Sequence, residues 1–153
     1  MERKEIVVVD ASVVVKWFVE EEYSKNARLL RDSYVNGLID LTAPSLLSYE
    51  VINALKFSGA FGEEELAEIA KILDYYQITT YDLRGELALK TVEISYRKGV
   101  SIYDAAYVAL SYLLDTILYT ADEKLIQKIK DPKHVKHIYE YSVRQKFETT
   151  KSY

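Results

Sequence analysis

Ile6-Val7-Val8-Val9-Asp10-Ala11-Ser12 is the stretch whose reading decides the fold. Four β-branched apolar residues in succession suit a strand covered on both faces, as the strands of a parallel sheet are. The run ends on an acid. In open α/β sheets the functional crevice lies beyond the carboxyl ends of the strands, so Asp10 stands where chemistry is done. Taken singly, Asp10 also reads as the N-cap of the next helix, a position that Asp favours.

Working outward, helical and strand patterns alternate. Val13 to Val19 stays apolar through Trp17 and Phe18 and should turn helical. Tyr23 to Asn36 sets Ala27, Leu30 and Val35 against Arg28, Arg31 and Asp32, the pattern of an amphipathic helix that Gly37 ends. Leu38 to Ala43 reads as a strand. Pro44 and Ser45 open a helix over Leu46 to Phe57, with Pro where a first turn tolerates it. Glu63 to Tyr76 is a further helix, led by three Glu that suit its N-terminal dipole. Ile78 to Leu83 reads as a short strand, Glu86 to Arg97 as a helix that Gly99 ends, and Ser101 to Leu114 as another helix. Ile117 to Thr120 is a strand, Glu123 to Lys130 a short helix and Val135 to Tyr141 a last strand. Strands that alternate with helices predict an α/β fold around a parallel sheet. Five Gly and two Pro in 153 residues leave no linker. The expectation is one domain over residues 1–141 and a polar tail over 142–153, frayed or used by a partner.

Composition narrows the class. At 49% hydrophobic and 29% charged residues the chain has an ordinary globular balance. No apolar run approaches the roughly 20 residues that span a bilayer, so no membrane association is expected. The absence of Cys excludes thiolate zinc sites and Cys nucleophiles, and it fits a cytoplasmic protein. A net charge of -4 is not that of an obvious nucleic-acid binder. With the four candidate metal-binding carboxylates, which carry -4 between them, set aside, the rest of the chain sums to zero.

Four acids carry the candidate chemistry: Asp10, Glu50, Asp104 and Asp122. Asp10 and Asp122 fall just past strand ends. Glu50 and Asp104 fall in the early turns of helices that should start at the same sheet edge. Glu50 follows Leu46 and Leu47 at helical spacing and lies on or beside the buried stripe, where acids are rare unless paired or metal-bound. Each has a plainer reading. Ser101-x-x-Asp104 matches a capping box, Asp122 can cap the helix after it, and Glu50 can reach water. Convergence of all four is what argues for a site. Close carboxylates raise one another's pKa, and a divalent cation is the simplest compensation. Oxygen ligands without Cys or a usable His point to Mg²⁺ or Mn²⁺. His134 and His137, three apart near a strand, should face opposite ways. The fourteen Tyr could stack on bases; Tyr75, Tyr76, Tyr96 and Tyr112 are expected at helix faces or a subunit interface. No phosphate-binding loop, dinucleotide fingerprint or paired-acid phosphatase motif is present.

Taken in order, V-V-V-D-A-S, P-S-L-L-S-Y-E-V-I-N-A-L, S-I-Y-D-A-A-Y-V-A-L and Y-T-A-D-E-K-L resemble the PIN-domain nucleases, and most closely the VapC toxins of toxin-antitoxin pairs. The resemblance spans Ile6 to Tyr141. It implies a three-layer α/β/α sandwich and a metal-dependent endoribonuclease. By motif match Asp10, Glu50, Asp104 and Asp122 take the acidic positions, with Asp10 and Asp104 foremost as Mg²⁺ ligands. Ser12 and Thr120 match supporting hydroxyl positions, and Asn53 a polar position after the second acid. Glu50 or Asp122 would orient the attacking water or hold a second ion. An RNA substrate, a cognate antitoxin that blocks the site and a homodimer are also implied. A PIN nuclease of RNA processing and a non-catalytic module with this fold are the competing readings.

Overall fold

A computed structural model describes residues 4–141. The expected tail, 142–153, lies outside the described residues. Five strands form one parallel sheet: β1 (Glu5–Val9), β2 (Ile39–Pro44), β3 (Thr79–Tyr81), β4 (Leu118–Thr120) and β5 (Val135–His137), in the order β3-β2-β1-β4-β5. β1 is the centre, flanked by β2 in the register Val7↔Leu41 and by β4 in the register Val8↔Leu118. Val7, Val8 and Val9 are buried on both faces, which is why this strand carries no polar alternation. The order reverses beside β1, so the crevice between the ends of β1 and β4 is the topological switch point.

Helices cover the sheet. α1 (Ala11–Val14) runs into a 3-10 turn at Val15–Trp17, followed by α2 (Ser24–Val35), α3 (Leu47–Phe57) and α4 (Glu63–Tyr75). α5 (Gly85–Lys98) and α6 (Ile102–Leu113) precede β4, and α7 (Glu123–Ile129) precedes β5. Right-handed crossovers place the helices before β3 on one face and those after it on the other. The packing agrees: α1 meets α2 and α3, α3 meets α4, and α5 pairs with α6, which lies across β1, β2 and β4. The result is the expected three-layer α/β/α sandwich. α6 is the most buried helix, with Ala105 through Ser111 all inside, because it spans the middle of the sheet.

Several boundaries differ from the sequence reading. Pro44, expected to open a helix with Ser45, ends β2 opposite Tyr81, and the helix starts at Leu47. The strand expected over Ile78 to Leu83 is limited to Thr79–Tyr81. The helix expected over Val13 to Val19 is one α-turn that tightens to 3-10 geometry and ends by Phe18. The indole of Trp17 donates to the Ala27 carbonyl at 2.9 Å and packs edge-on against Tyr76 at 5.1 Å, which fixes the exit of the chain. The last strand ends at His137, and residues 138–141 coil into a helical turn. Ile138 and Tyr141, both buried, lie three apart on one side of that turn. The Glu140 carboxylate accepts the His137 N–H, and the His137 ring accepts the Tyr139 N–H, so local bonds outcompete a sheet ladder.

The histidines have separate surroundings. His134 precedes β5 and bridges Asp131 (2.9 Å) and Asp115 (3.1 Å), while the His137 ring packs edge-on against Tyr23 at 4.5 Å. Of the four tyrosines expected at faces, Tyr76 packs on Trp17 and Tyr112 on His134, whereas Tyr75 and Tyr96 stand exposed.

Gly99 ends α5 with φ 66°, and a Cβ there would meet no atom within 4 Å. Only the backbone conformation demands glycine. Gly99→Ala should therefore lower stability by about 1 kcal/mol, the left-handed cost of a Cβ, in a denaturant titration. An unchanged midpoint would show that the loop adapts.

Candidate active site

The end of β1 delivers Asp10 into the switch point with only 6% of its surface exposed. Its backbone stands at the N-cap of α1, but its carboxylate makes no cap bond. Instead the Ser12 hydroxyl donates to Asp10 Oδ1 at 2.5 Å. Ser12 Oγ also accepts the Ala121 N–H at 2.9 Å and lies 3.3 Å from the Thr120 hydroxyl. Ser12 has one proton, already given to Asp10, so the Thr120 hydroxyl can turn its own single proton either to Ser12 Oγ or to the Asp10 carboxylate. Thr120 Oγ1 in turn accepts the Asp122 N–H at 3.0 Å. A chain of hydroxyls thus runs from Asp122 through Thr120 and Ser12 to Asp10, joining the ends of two neighbouring strands.

The other acids enter from helices. Asp122 caps α7, its Oδ1 accepting the Leu125 N–H at 3.1 Å, so the capping reading holds for this residue beside any second role. Asp104 lies in the first turn of α6, where its N–H donates to the Ser101 hydroxyl at 3.0 Å. Glu50 lies in the first turn of α3. The buried Tyr107, one turn beyond Asp104 on α6, donates its hydroxyl to Glu50 Oε1 at 2.7 Å. Burial and then the neighbouring Glu50 charge raise the Tyr107 phenol far above its usual range, so it remains the donor.

The electrostatics join these groups. Burial pushes the Asp10 carboxyl up to about 6, against hydrogen bonds from Ser12 and Thr120, and the charge of Asp104 adds to the rise. Burial likewise raises Glu50, with a contribution from Asp104, against the bond from Tyr107. Asp104 is raised by burial and then by Asp122, while Ser101 and the Lys128 charge oppose the rise. Asp104 is therefore the acid that the other three feel or act on. Among the described residues, none of the four carboxylates sits in an ion pair. Nor do any three acids or histidines close up tightly enough to enclose an ion as the side chains lie. The donors are all oxygen, and a buried carboxyl without a cationic partner is one that a divalent ion would draw to its charged form. The residues fit a hard cation by the chemistry of their donors.

Beside Asp10 opens a cleft of about 370 Å³ lined by Ser12, Val15, Lys16, Glu21, Glu50 and Ala54, among others. Asn53 is exposed and lines, with Tyr49, Ile52 and Lys56, a groove that shares Glu50 with that cleft. No hydrogen bond ties it to the acids among the described residues. Sequence reasoning missed Tyr107 and Lys16. Both left a signal: Tyr107 follows Asp104 by three and Lys16 follows Ser12 by four, the spacings that share a helix face.

Asp10 gives the metal-free protein a pH dependence. Its folded pKa of about 6 stands above the ordinary 3.8, so the native state holds the proton more tightly. The stability this contributes is present below the unfolded value and is lost as pH rises through the folded one. In EDTA, Asp10→Asn should gain stability relative to the unsubstituted protein across that window, by up to about 3 kcal/mol. Parallel stability-against-pH profiles would contradict the buried, unpaired carboxyl.

Comparison with known proteins agrees with this geometry. The PIN domain family profile matches residues 7–131, a span that includes all four acids. Ribonuclease VapC3 of Pyrobaculum aerophilum is 30% identical over 125 residues, which cover 79% of this chain and 92% of that protein. Among solved structures, the Mycobacterium tuberculosis toxin VapC20, described as cleaving the sarcin-ricin loop, superposes with a TM-score of 0.62 at 13% identity. That match covers 79% of this chain and 93% of VapC20. VapBC2 of Rickettsia felis, solved bound to a promoter DNA fragment, gives a TM-score of 0.60 at 14% identity, over 86% of this chain and 98% of its own. At those identities the two structures speak for the fold alone. The profile match and the relative at 30% identity carry more: the chain belongs to the PIN-domain family.

Proposed function

We propose that this chain is a Mg²⁺- or Mn²⁺-dependent endoribonuclease that hydrolyses RNA phosphodiester bonds, and that it serves as the toxin of a toxin-antitoxin pair. One observation supports the chemistry: Asp10 follows β1, Glu50 and Asp104 lie in the first turns of α3 and α6, Asp122 follows β4, and none of the four carboxylates is in an ion pair among the described residues. The name of the relative Ribonuclease VapC3 supports RNA as substrate and the toxin role. The VapBC2 assembly supports a protein partner, here a cognate antitoxin that covers the site. A homodimer fits the exposed apolar rings of Tyr49, Phe57 and Tyr75 on α3 and α4. No helix among the described residues is long and apolar enough to cross a membrane, and we place the protein in the cytoplasm.

The chain's own groups divide the work. Asp10 and Asp104 would hold the ion, with Ser12 and Thr120 fixing the Asp10 carboxylate so that it need not reorganise. When bound, Mg²⁺ or Mn²⁺ supplies Lewis acidity and offsets the charge that builds on phosphorus. Glu50, aimed by Tyr107, or Asp122, aimed by its place at the α7 cap, orients the attacking water and takes its proton. The low exposure of Asp10 keeps bulk water from its carboxylate.

Cleavage of a single-stranded or looped RNA should stop in EDTA and return with Mg²⁺ or Mn²⁺. Turnover in EDTA with trace metal excluded would sink the metal-dependent reading. Asp104→Asn should lower the rate by about 100-fold, the scale of a perturbed metal site. Melting curves separate this from capping. The ion should raise the Tm of the unsubstituted protein well above any change in Asp104→Asn, whereas equal shifts in both would leave Asp104 as a helix cap.

A further inference from the structure

The cleft beside the acids contains one cation among its lining residues, Lys16. It lies in the 3-10 turn one helical step after Ser12, and its side chain is only 11% exposed. Its ammonium donates to Glu21 Oε1 at 3.0 Å, while Glu21 is 48% exposed at the rim. Glu21 is itself held in place. The Ser24 hydroxyl, fully buried, accepts the Glu21 N–H at 2.9 Å and donates to the Val19 carbonyl at 2.8 Å. The segment between the 3-10 turn and α2 is thereby pinned.

A lysine in the apolar run Val13 to Phe18 is not what stability alone would select. A half-exposed ion pair adds little, and taking an ammonium out of water is costly. The position has a use if the cleft must admit an anion. Every other charged group lining it is an acid, Glu21 or Glu50, and an RNA backbone would be repelled. An ammonium has three donors; one is spent on Glu21 and the others can meet phosphate oxygens.

We propose that Lys16 binds a backbone phosphate of the RNA substrate in this cleft and that Glu21 is the positioning residue that holds its ammonium for that contact. This rests on the ribonuclease reading above. Lys16 draws the strand across Ser12 and Glu50, so that the neighbouring phosphodiester reaches Asp10 and Asp104. Glu21 aims the ammonium without cancelling it.

The test is binding of a single-stranded RNA oligonucleotide in EDTA, where no cleavage interferes, measured by fluorescence anisotropy over a range of salt. Lys16→Met should weaken binding about tenfold. It should also reduce the slope of log Kd against log salt by about 0.7, the signature of one lost phosphate contact on a single strand. Lys16→Arg should restore both. Glu21→Gln keeps an oxygen that accepts from the ammonium while removing a negative charge from the rim, so it should bind at least as tightly as the unsubstituted protein. A purely structural ion pair predicts otherwise: both Lys16→Met and Glu21→Gln would lower the Tm, and neither would change the salt slope. An unchanged slope in Lys16→Met, or weakened binding in Glu21→Gln, overturns the proposal. Should Lys16→Met fail to melt cooperatively, Glu21→Gln decides by the sign of its effect. Cleavage of RNA by the unsubstituted protein with Mg²⁺, together with an unchanged slope in Lys16→Met, rejects the role of Lys16 alone. If the unsubstituted protein neither binds nor cleaves RNA, the ribonuclease reading falls with it.

Discussion

The Ser12 hydroxyl gives its one proton to Asp10 and receives the N–H of Ala121, and this pair of bonds fastens the end of β1 to the end of β4. The two strands are neighbours in the sheet but are separated by more than a hundred residues of chain. Two acceptors, the buried Asp10 carboxylate and the half-buried Ser12 oxygen, are satisfied at once. Asp10 is thereby held at the switch point, and Thr120 extends the same chain to the backbone of Asp122. Everything else at the site is arranged around a carboxylate that cannot move away.

That constraint sets the electrostatics. A carboxyl so placed resists ionisation, and Asp104 adds to the resistance at both Asp10 and Glu50. Asp104 destabilises the charged forms of its neighbours rather than supporting them, and a hard cation would offset that repulsion. Lys16 stands on the opposite side of that balance. It lines the same cleft as Glu50, and its ammonium is hydrogen-bonded to Glu21 at the rim rather than to the four acids. The proposed division of labour thus keeps a cation for the substrate apart from the carboxylates that would meet the ion.

Much of this was legible in the sequence because the features that reveal it are local. The uninterrupted Ile6 to Val9 run reads as a strand buried on both faces, and Val7 to Val9 are so buried. Asp10 and Asp122 are placed by the strands they follow. The helical spacing of Leu47, Val51 and Leu55 turns Glu50 toward the interior, and its bond to Tyr107 bears this out. What was not legible depends on contacts between distant segments. Glu50 and Tyr107 are 57 residues apart, and no local pattern pairs them. Lys16 hides in an apolar run that reads as core, and its partner belongs to a connecting segment with no periodicity. The end of β5 was misread because Tyr139 and Tyr141 have strand propensity, while the buried pair Ile138 and Tyr141 and the side-chain bonds of His137 and Glu140 favour a turn. Asn53, matched by motif alone, is exposed on a neighbouring groove.

The central claim is that the four carboxylates form one cation site at the switch point, and the position of a bound ion tests it most directly. Crystals of the protein grown with Mn²⁺ allow the ion to be located by its anomalous scattering. The account predicts a peak contacted by Asp10 and Asp104 oxygens, with Glu50 and Asp122 around it. A peak elsewhere, such as at the Asp115, Asp131 and His134 cluster, or no peak at the switch point under saturating Mn²⁺, would contradict it.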